Sequence, residues 1–172
     1  MVRRMKLQME HVLVLIMIIS IMNIGGSSCD LLSLEKVDPG VGGGNNFVNV
    51  FERIFPSNFE MVWNAAIDVL TQRGESVRTA DKTGGLITTY RVNITTERLK
   101  QIAQNVSATA SYGGAYELAI HVMKLTDQQS KVTIQALIIE VNPMSQNPLG
   151  GRPLLSNGTL ETELFTAIGQ KL

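Results

Sequence analysis

Few side chains in this sequence are equipped for chemistry, and the clearest is Cys29, its only cysteine. A lone thiol makes no internal disulfide, and in an exported protein it calls for another use. The four residues ahead of it, Gly25-Gly26-Ser27-Ser28, are all small. His121 is the only histidine that follows. A serine–histidine–acid triad would have to use it. Yet alternation along the chain places it mid-strand, opposite Leu118, Ile120 and Val122, with no nucleophile-elbow motif nearby. Glu161 and Glu163 fall in the first turn of a helix, where carboxylates favour the positive helix end more readily than they form an acid–base pair. Zinc sites usually need three or four His, Cys or carboxylate ligands, and no such cluster shows. The Gly40-x-Gly42-x-x-Asn45 run lacks both the Lys-Ser/Thr of a phosphate loop and the last glycine of a dinucleotide fingerprint. The inventory therefore predicts a protein that is not an enzyme and carries no cofactor or metal.

The element that positions Cys29 is the stretch before it. Arg3, Arg4 and Lys6 make a positive start, Val12–Ile24 is an almost unbroken apolar run, and small residues follow. That order is the pattern of a secretory signal peptide. Thirteen helical residues at about 1.5 Å each fall short of the roughly 30 Å hydrocarbon core. Glu10, His11 and Asn23 limit any extension. The tetrad Gly26-Ser27-Ser28-Cys29 resembles the bacterial lipobox, with Gly26 where that motif usually has an aliphatic residue. The resemblance implies cleavage between Ser28 and Cys29 and lipid attachment at Cys29. The alternatives are an ordinary secretory peptide that leaves a free thiol, and an uncleaved amino-terminal anchor. Asp30 after the cysteine resembles the enteric signal for retention at the inner membrane, so inner and outer membrane both stay open.

Removing 28 of the 172 residues leaves enough chain for one domain with a real core. The leader takes three of the 15 basic residues and one of the 15 acidic ones, leaving 12 against 14 and a net charge of −2. No basic cluster supports a nucleic-acid partner. Residues 29–46 read as a lipidated cysteine followed by a Gly/Asn-rich tether, and folded structure is expected over 47–172. Phe47–Phe51 could make a short strand. Ser57-x-x-Glu60 reads as a capping box ahead of a helix whose apolar stripe includes Phe59, Val62, Trp63, Ala66, Ile67 and Leu70, closed by Gly74. Strands are expected at 76–80 and 86–93, joined by a turn over Asp81–Gly85. Residues 95–114 read as a short helix or loop and then an extended approach, and form a candidate contact surface. Two longer strands follow, 116–123 and 132–141, with Leu137-Ile138-Ile139 apolar on both faces. After a loop through Pro153, Ser156 or Asn157 caps a last helix bearing Leu160, Leu164, Phe165, Ile168 and Leu172 on one face. The order α-β-β-β-β-α predicts an α+β domain: a four-stranded antiparallel sheet with two helices packed on one side.

Val62-Trp63-x-x-Ala66-x-x-Val69-Leu70, Gly74, Asp81-Lys82-x-Gly84-Gly85-Leu86-Ile87-Thr88-Thr89 and Ser156-Asn157-Gly158-Thr159-Leu160-Glu161 together resemble the helix-grip domains of the BamC lipoproteins. The likeness covers roughly residues 51–172. BamC proteins belong to the machinery that inserts β-barrels into bacterial outer membranes and carry two such domains, where this chain has room for one. The resemblance implies a single helix-grip-like domain facing the periplasm, tied to the envelope through Cys29. It further implies a protein-binding adaptor with an envelope protein as partner, in outer-membrane protein assembly. The alternative expectation is a carrier of a small apolar ligand or lipid, in a cavity between sheet and helix lined around Leu137.

Overall fold

Period-two alternation from Tyr116 to Met123 becomes the spine of the structure, a computed structural model that describes residues 35–37, 49–144, 146 and 150–172. The leader 1–28, the expected acylation site Cys29, most of the tether 29–46 and Phe47–Val48 lie outside the described residues. In β6 (Gly114–Thr126) Tyr116, Leu118, Ile120 and Val122 are buried, while Glu117, Ala119, His121 and Met123 are half-buried on the other face. A two-residue turn, Asp127-Gln128, returns the chain into β7 (Gln129–Val141), whose Val132, Ile134, Ala136 and Ile138 share the buried face. Within the doubly apolar run, Ile138 joins the core, while Leu137 and Ile139 point to the other face, Leu137 half-buried and Ile139 buried. β2 (Val50–Phe55) pairs with it antiparallel, and β1 (Glu35–Val37), within the expected tether, pairs with β2. Beyond β6 lie β4 (Leu86–Thr89) and then β3 (Val77–Asp81) at the edge. β5 (Val92–Ile94) also pairs with β6, and β8 (Gly151–Leu154) with the end of β7.

Three helices cover the buried face. α1 (Phe59–Gln72) contributes Val62, Trp63, Ala66, Val69 and Leu70; α2 (Thr96–Ile102) contributes Leu99 and Ile102. α3 (Thr159–Gly169) contributes Leu160, Leu164, Phe165 and Ile168, and all of these join the strand residues in one core cluster. Gly74, at φ +72°, closes α1 as expected. Glu75 N–H donates to the Leu70 carbonyl (2.9 Å) and Gly74 N–H to that of Thr71 (3.0 Å), the two bonds of a Schellman motif. The start of α1 differs from the capping-box reading. Asn58 is the cap and accepts from Met61 N–H at 3.0 Å, while the Ser57 carbonyl is held by the Ser130 hydroxyl at 3.0 Å. α3 begins at Gly158 (φ +90°) with no side-chain cap, although the Asn157 side chain accepts from Thr159 N–H. No helix among the described residues is long and apolar enough to cross a membrane.

The architecture is α+β, but the predicted layout of four strands and two helices in the order α-β-β-β-β-α, the single helix-grip-like domain, is overturned. The described residues form one eight-stranded antiparallel sheet, seven strands of it after residue 49, with three helices. The additions are short elements. Tyr90-Arg91 interrupts the expected 86–93 strand, so that β4 and β5 pair with different parts of β6. β8 was expected as loop because Gly150, Gly151 and Pro153 read as breakers. Proline is tolerated there because β8 has a ladder on one side only. Gly151 is needed, since a Cβ on it would overlap the Glu140 carbonyl across the ladder.

Candidate functional site

Of the sequence-predicted residues, His121, Glu161 and Glu163 have definite places. Ser28 and Cys29 lie outside the described residues. His121 sits on the helix-free face of β6, where its Nε2–H donates to the Gly84 carbonyl at 2.8 Å and so holds the Asp81–Gly85 turn. It lines a pocket of about 710 Å³ beside Lys82, Lys124 and the start of α1. The lysines there are engaged in ion pairs, Lys82 with Glu60 and Lys124 with Asp127 at 2.5 Å. Among the described residues no nucleophile is hydrogen-bonded to the imidazole, so the arrangement supports a structural histidine.

Glu161 and Glu163 are separated by the helix itself, because residues two apart do not face each other. Glu161 has no exposed surface; the Ser156 hydroxyl donates to its Oε2 at 2.7 Å, and Oε1 has no partner among the described residues. Burial pushes its pKa above the usual carboxylate value. Glu163 is half-exposed and takes Arg98 Nη1 at 3.0 Å, and the hydrogen bond from Arg98 lowers its pKa. Neither carboxylate is placed to exchange a proton with the other. This upward shift has a consequence for stability. A native pKa raised above the unfolded value contributes stability that is fully present below the unfolded pKa and is lost as pH rises through the native one. Wild-type stability should therefore fall as pH climbs from the ordinary glutamate range toward neutrality. Glu161→Gln should flatten that slope and gain on the order of 1 kcal/mol at neutral pH. Urea denaturation of both proteins across this range measures it, and identical slopes would refute the assignment.

A buried polar network crosses from α1 to β6. Tyr116 O–H donates to Glu75 Oε1 at 2.8 Å, and Arg73 Nε donates to the same oxygen at 2.7 Å. Arg73 also lies 3.6 Å from Glu163. Burial and then the adjacent Glu75 charge push the Tyr116 phenol up to about 12. The phenol stays protonated and serves as a donor.

The 95–114 segment, expected as a contact surface, is where the structure assembles a second cleft. Thr95 caps α2 through Arg98 N–H, and Gln104 N–H then donates to the Leu155 carbonyl at 2.8 Å. Asn105 follows at φ +56°, a conformation few non-glycine residues hold unless their surroundings enforce it. Its carbonyl accepts from Arg152 Nη2 at 2.7 Å, and Arg152 also donates to Glu140 Oε2 from Nε (3.2 Å) and Nη2 (2.6 Å). Ser107 N–H donates to that same carboxylate oxygen at 3.3 Å. The result is a polar cleft of about 480 Å³ between the loop and the ends of β7 and β8. Sequence reasoning missed Glu140 and Arg152. They meet through the Glu140↔Arg152 register of β7 and β8, which is invisible unless β8 is recognised.

The helix-free face of the sheet is the third feature. Glu52, Ile54, Lys131, Thr133, Gln135, Leu137, Ala119, Met123 and Leu86 alternate with the core positions of β2, β7, β6 and β4, and no helix packs on them among the described residues. Its charges are paired, Lys131 with Glu52 at 3.1 Å and Arg78 and Arg91 with Glu117 at 3.6 and 3.2 Å. Ile54 is 54% exposed and Leu86 37%. Leu137 belongs to this face and not to the helix–sheet interface. That interface is filled: Val62, Leu70, Leu99, Ile134, Ile138 and Leu164 have no accessible surface. No family model matches the chain, and no curated protein is significantly similar to it.

Proposed function

We propose that this chain is a lipid-anchored, non-catalytic lipoprotein of the bacterial envelope that holds a partner protein on the helix-free face of its sheet. The observation that carries the adaptor role is that face, with apolar Ile54, Leu86, Leu137 and Met123 set among self-paired charges. Antiparallel sheets tolerate one wet face, but exposed Ile and Leu on that face suit contact with a complementary apolar strip. The Gly26–Cys29 tetrad supports the anchor and the periplasmic location. The short motifs at Val62–Leu70, Asp81–Thr89 and Ser156–Glu161, which resemble those of the BamC lipoproteins, favour outer-membrane protein assembly as the setting even though the four-stranded layout is not kept. A ligand carrier would need room between helices and sheet, where Ile134, Ile138 and Leu164 have no accessible surface.

A photo-crosslinking residue at Gln135, central and exposed on this face, tests the proposal in intact cells. One at Asp68, exposed on α1, serves as control. A discrete intermolecular product from position 135 and none from 68 is expected. An intramolecular product, or equal yields from both positions, would overturn it.

A further inference from the structure

We infer that the cleft between the 105–112 loop and the ends of β7 and β8 is a binding site for a neutral sugar ring, distinct from the sheet face. Its volume, about 480 Å³, falls within the ordinary range for small-ligand pockets. Glu140 and Arg152 neutralise each other at 2.6 Å, so the cleft offers little to an ion. What it does offer is unengaged hydrogen-bonding capacity in planar groups. Glu140 is buried, and all three bonds it accepts fall on Oε2, leaving Oε1 without a partner among the described residues. Arg152 donates from Nε and Nη2, leaving Nη1; Asn142 accepts from Met144 N–H, leaving its amide nitrogen. An acceptor oxygen beside planar N–H donors matches vicinal hydroxyls, each of which donates and accepts at once.

Two further observations narrow the ligand class. Tyr112 lines the cleft and is 68% exposed, so its ring is open to a ligand. A phenol ring can cover the apolar C–H face of a pyranose while its hydroxyl stays in water. The walls are also held before any ligand arrives. Arg152 clamps the Asn105 carbonyl, Asn105 is fixed at φ +56°, and the Ser107 and Thr109 hydroxyls bond each other at 2.9 Å. A preformed site loses little freedom on binding, which matters for a ligand as well hydrated as a sugar.

The test is an amide NMR titration of the isotope-labelled full chain in a sugar-free detergent, with chitotetraose, maltotetraose, cellotetraose and trialanine as probes. At least one oligosaccharide should shift amides of residues 107–112, 141–142 and 151–152 by about 10 mM, and the responding sugar separates acetylated wall-type glycans from plain glucans. Tyr112→Ala, whose side chain is exposed, should weaken that binding by about tenfold with the rest of the spectrum unchanged. Asn142→Ala should weaken it severalfold. No response to any oligosaccharide, shifts elsewhere on the protein, a response to trialanine alone, or undiminished binding by Tyr112→Ala would each overturn the inference.

Discussion

Arg73→Ala is expected to cost about 3 kcal/mol of folding stability, toward the low end of the range for breaking a buried charge pair. The reason is what it leaves behind. Glu75 is 4% exposed, and its Oε2 already lacks a partner among the described residues. Without Arg73 Nε, the carboxylate keeps only the Tyr116 hydroxyl among its side-chain partners. A buried anion with one neutral donor is far worse than a buried neutral group. The single substitution Glu75→Gln should be milder, about 1–2 kcal/mol, because its amide can still accept from Tyr116 and Arg73 retains Glu163 at 3.6 Å. Combining Arg73→Met with Glu75→Gln should recover most of the loss, as no unpaired charge stays inside. Urea unfolding of the three proteins at neutral pH decides the matter. A cost below about 1 kcal/mol for Arg73→Ala would mean that water reaches Glu75.

Cys29→Ser is expected to detach the protein from membranes almost completely. Each buried methylene contributes about 0.8 kcal/mol, and one acyl chain binds a bilayer with only about 10⁴ M⁻¹, so stable anchoring needs the two or more chains that an acylated amino-terminal cysteine supplies. Serine offers no thioether, so neither lipid nor cleavage before residue 29 should follow. Mass analysis of the amino terminus, with membrane fractionation of both proteins, reads this directly. Wild-type chain should begin at a lipid-modified Cys29, and the variant should keep its leader or be cut elsewhere. A bare thiol on a soluble wild-type protein, or a leader retained in the wild type, would remove the anchored half of the proposed function while leaving the sugar cleft and the sheet face to be judged separately.

The parts of the fold that were legible in the sequence are those with many repeats of one period. Val62, Trp63, Ala66 and Leu70 mark α1, and the alternation of Leu118, Ile120 and Val122 marks β6, because each extra repeat makes the other period harder to fit. Gly74 was legible for a different reason: a left-handed residue is needed after the helix, and few residue types accept that conformation. The three-residue β5 and four-residue β8 were not legible, since so few positions carry no period. Ser57 and Asn58 are comparable caps on local grounds; the structure uses Asn58, while the Ser57 carbonyl accepts from Ser130, 73 residues away.

Residue types and spacing by themselves determined the charge-then-apolar-then-small order ahead of the single Cys29, the α+β class, and the principal helices and hairpin. Only the tertiary structure decided which charges are buried and which meet. It set Glu161 inside and Glu163 on Arg98, though they are neighbours on one helix. It also brought Arg152 onto both Glu140 and the Asn105 carbonyl, 47 residues away, so that a loop became the wall of a cleft. The physical reason is that periodicity is a local property of a chain. Burial and pairing depend on strand register and on which segments close against each other, and those are set by the packing of the whole core.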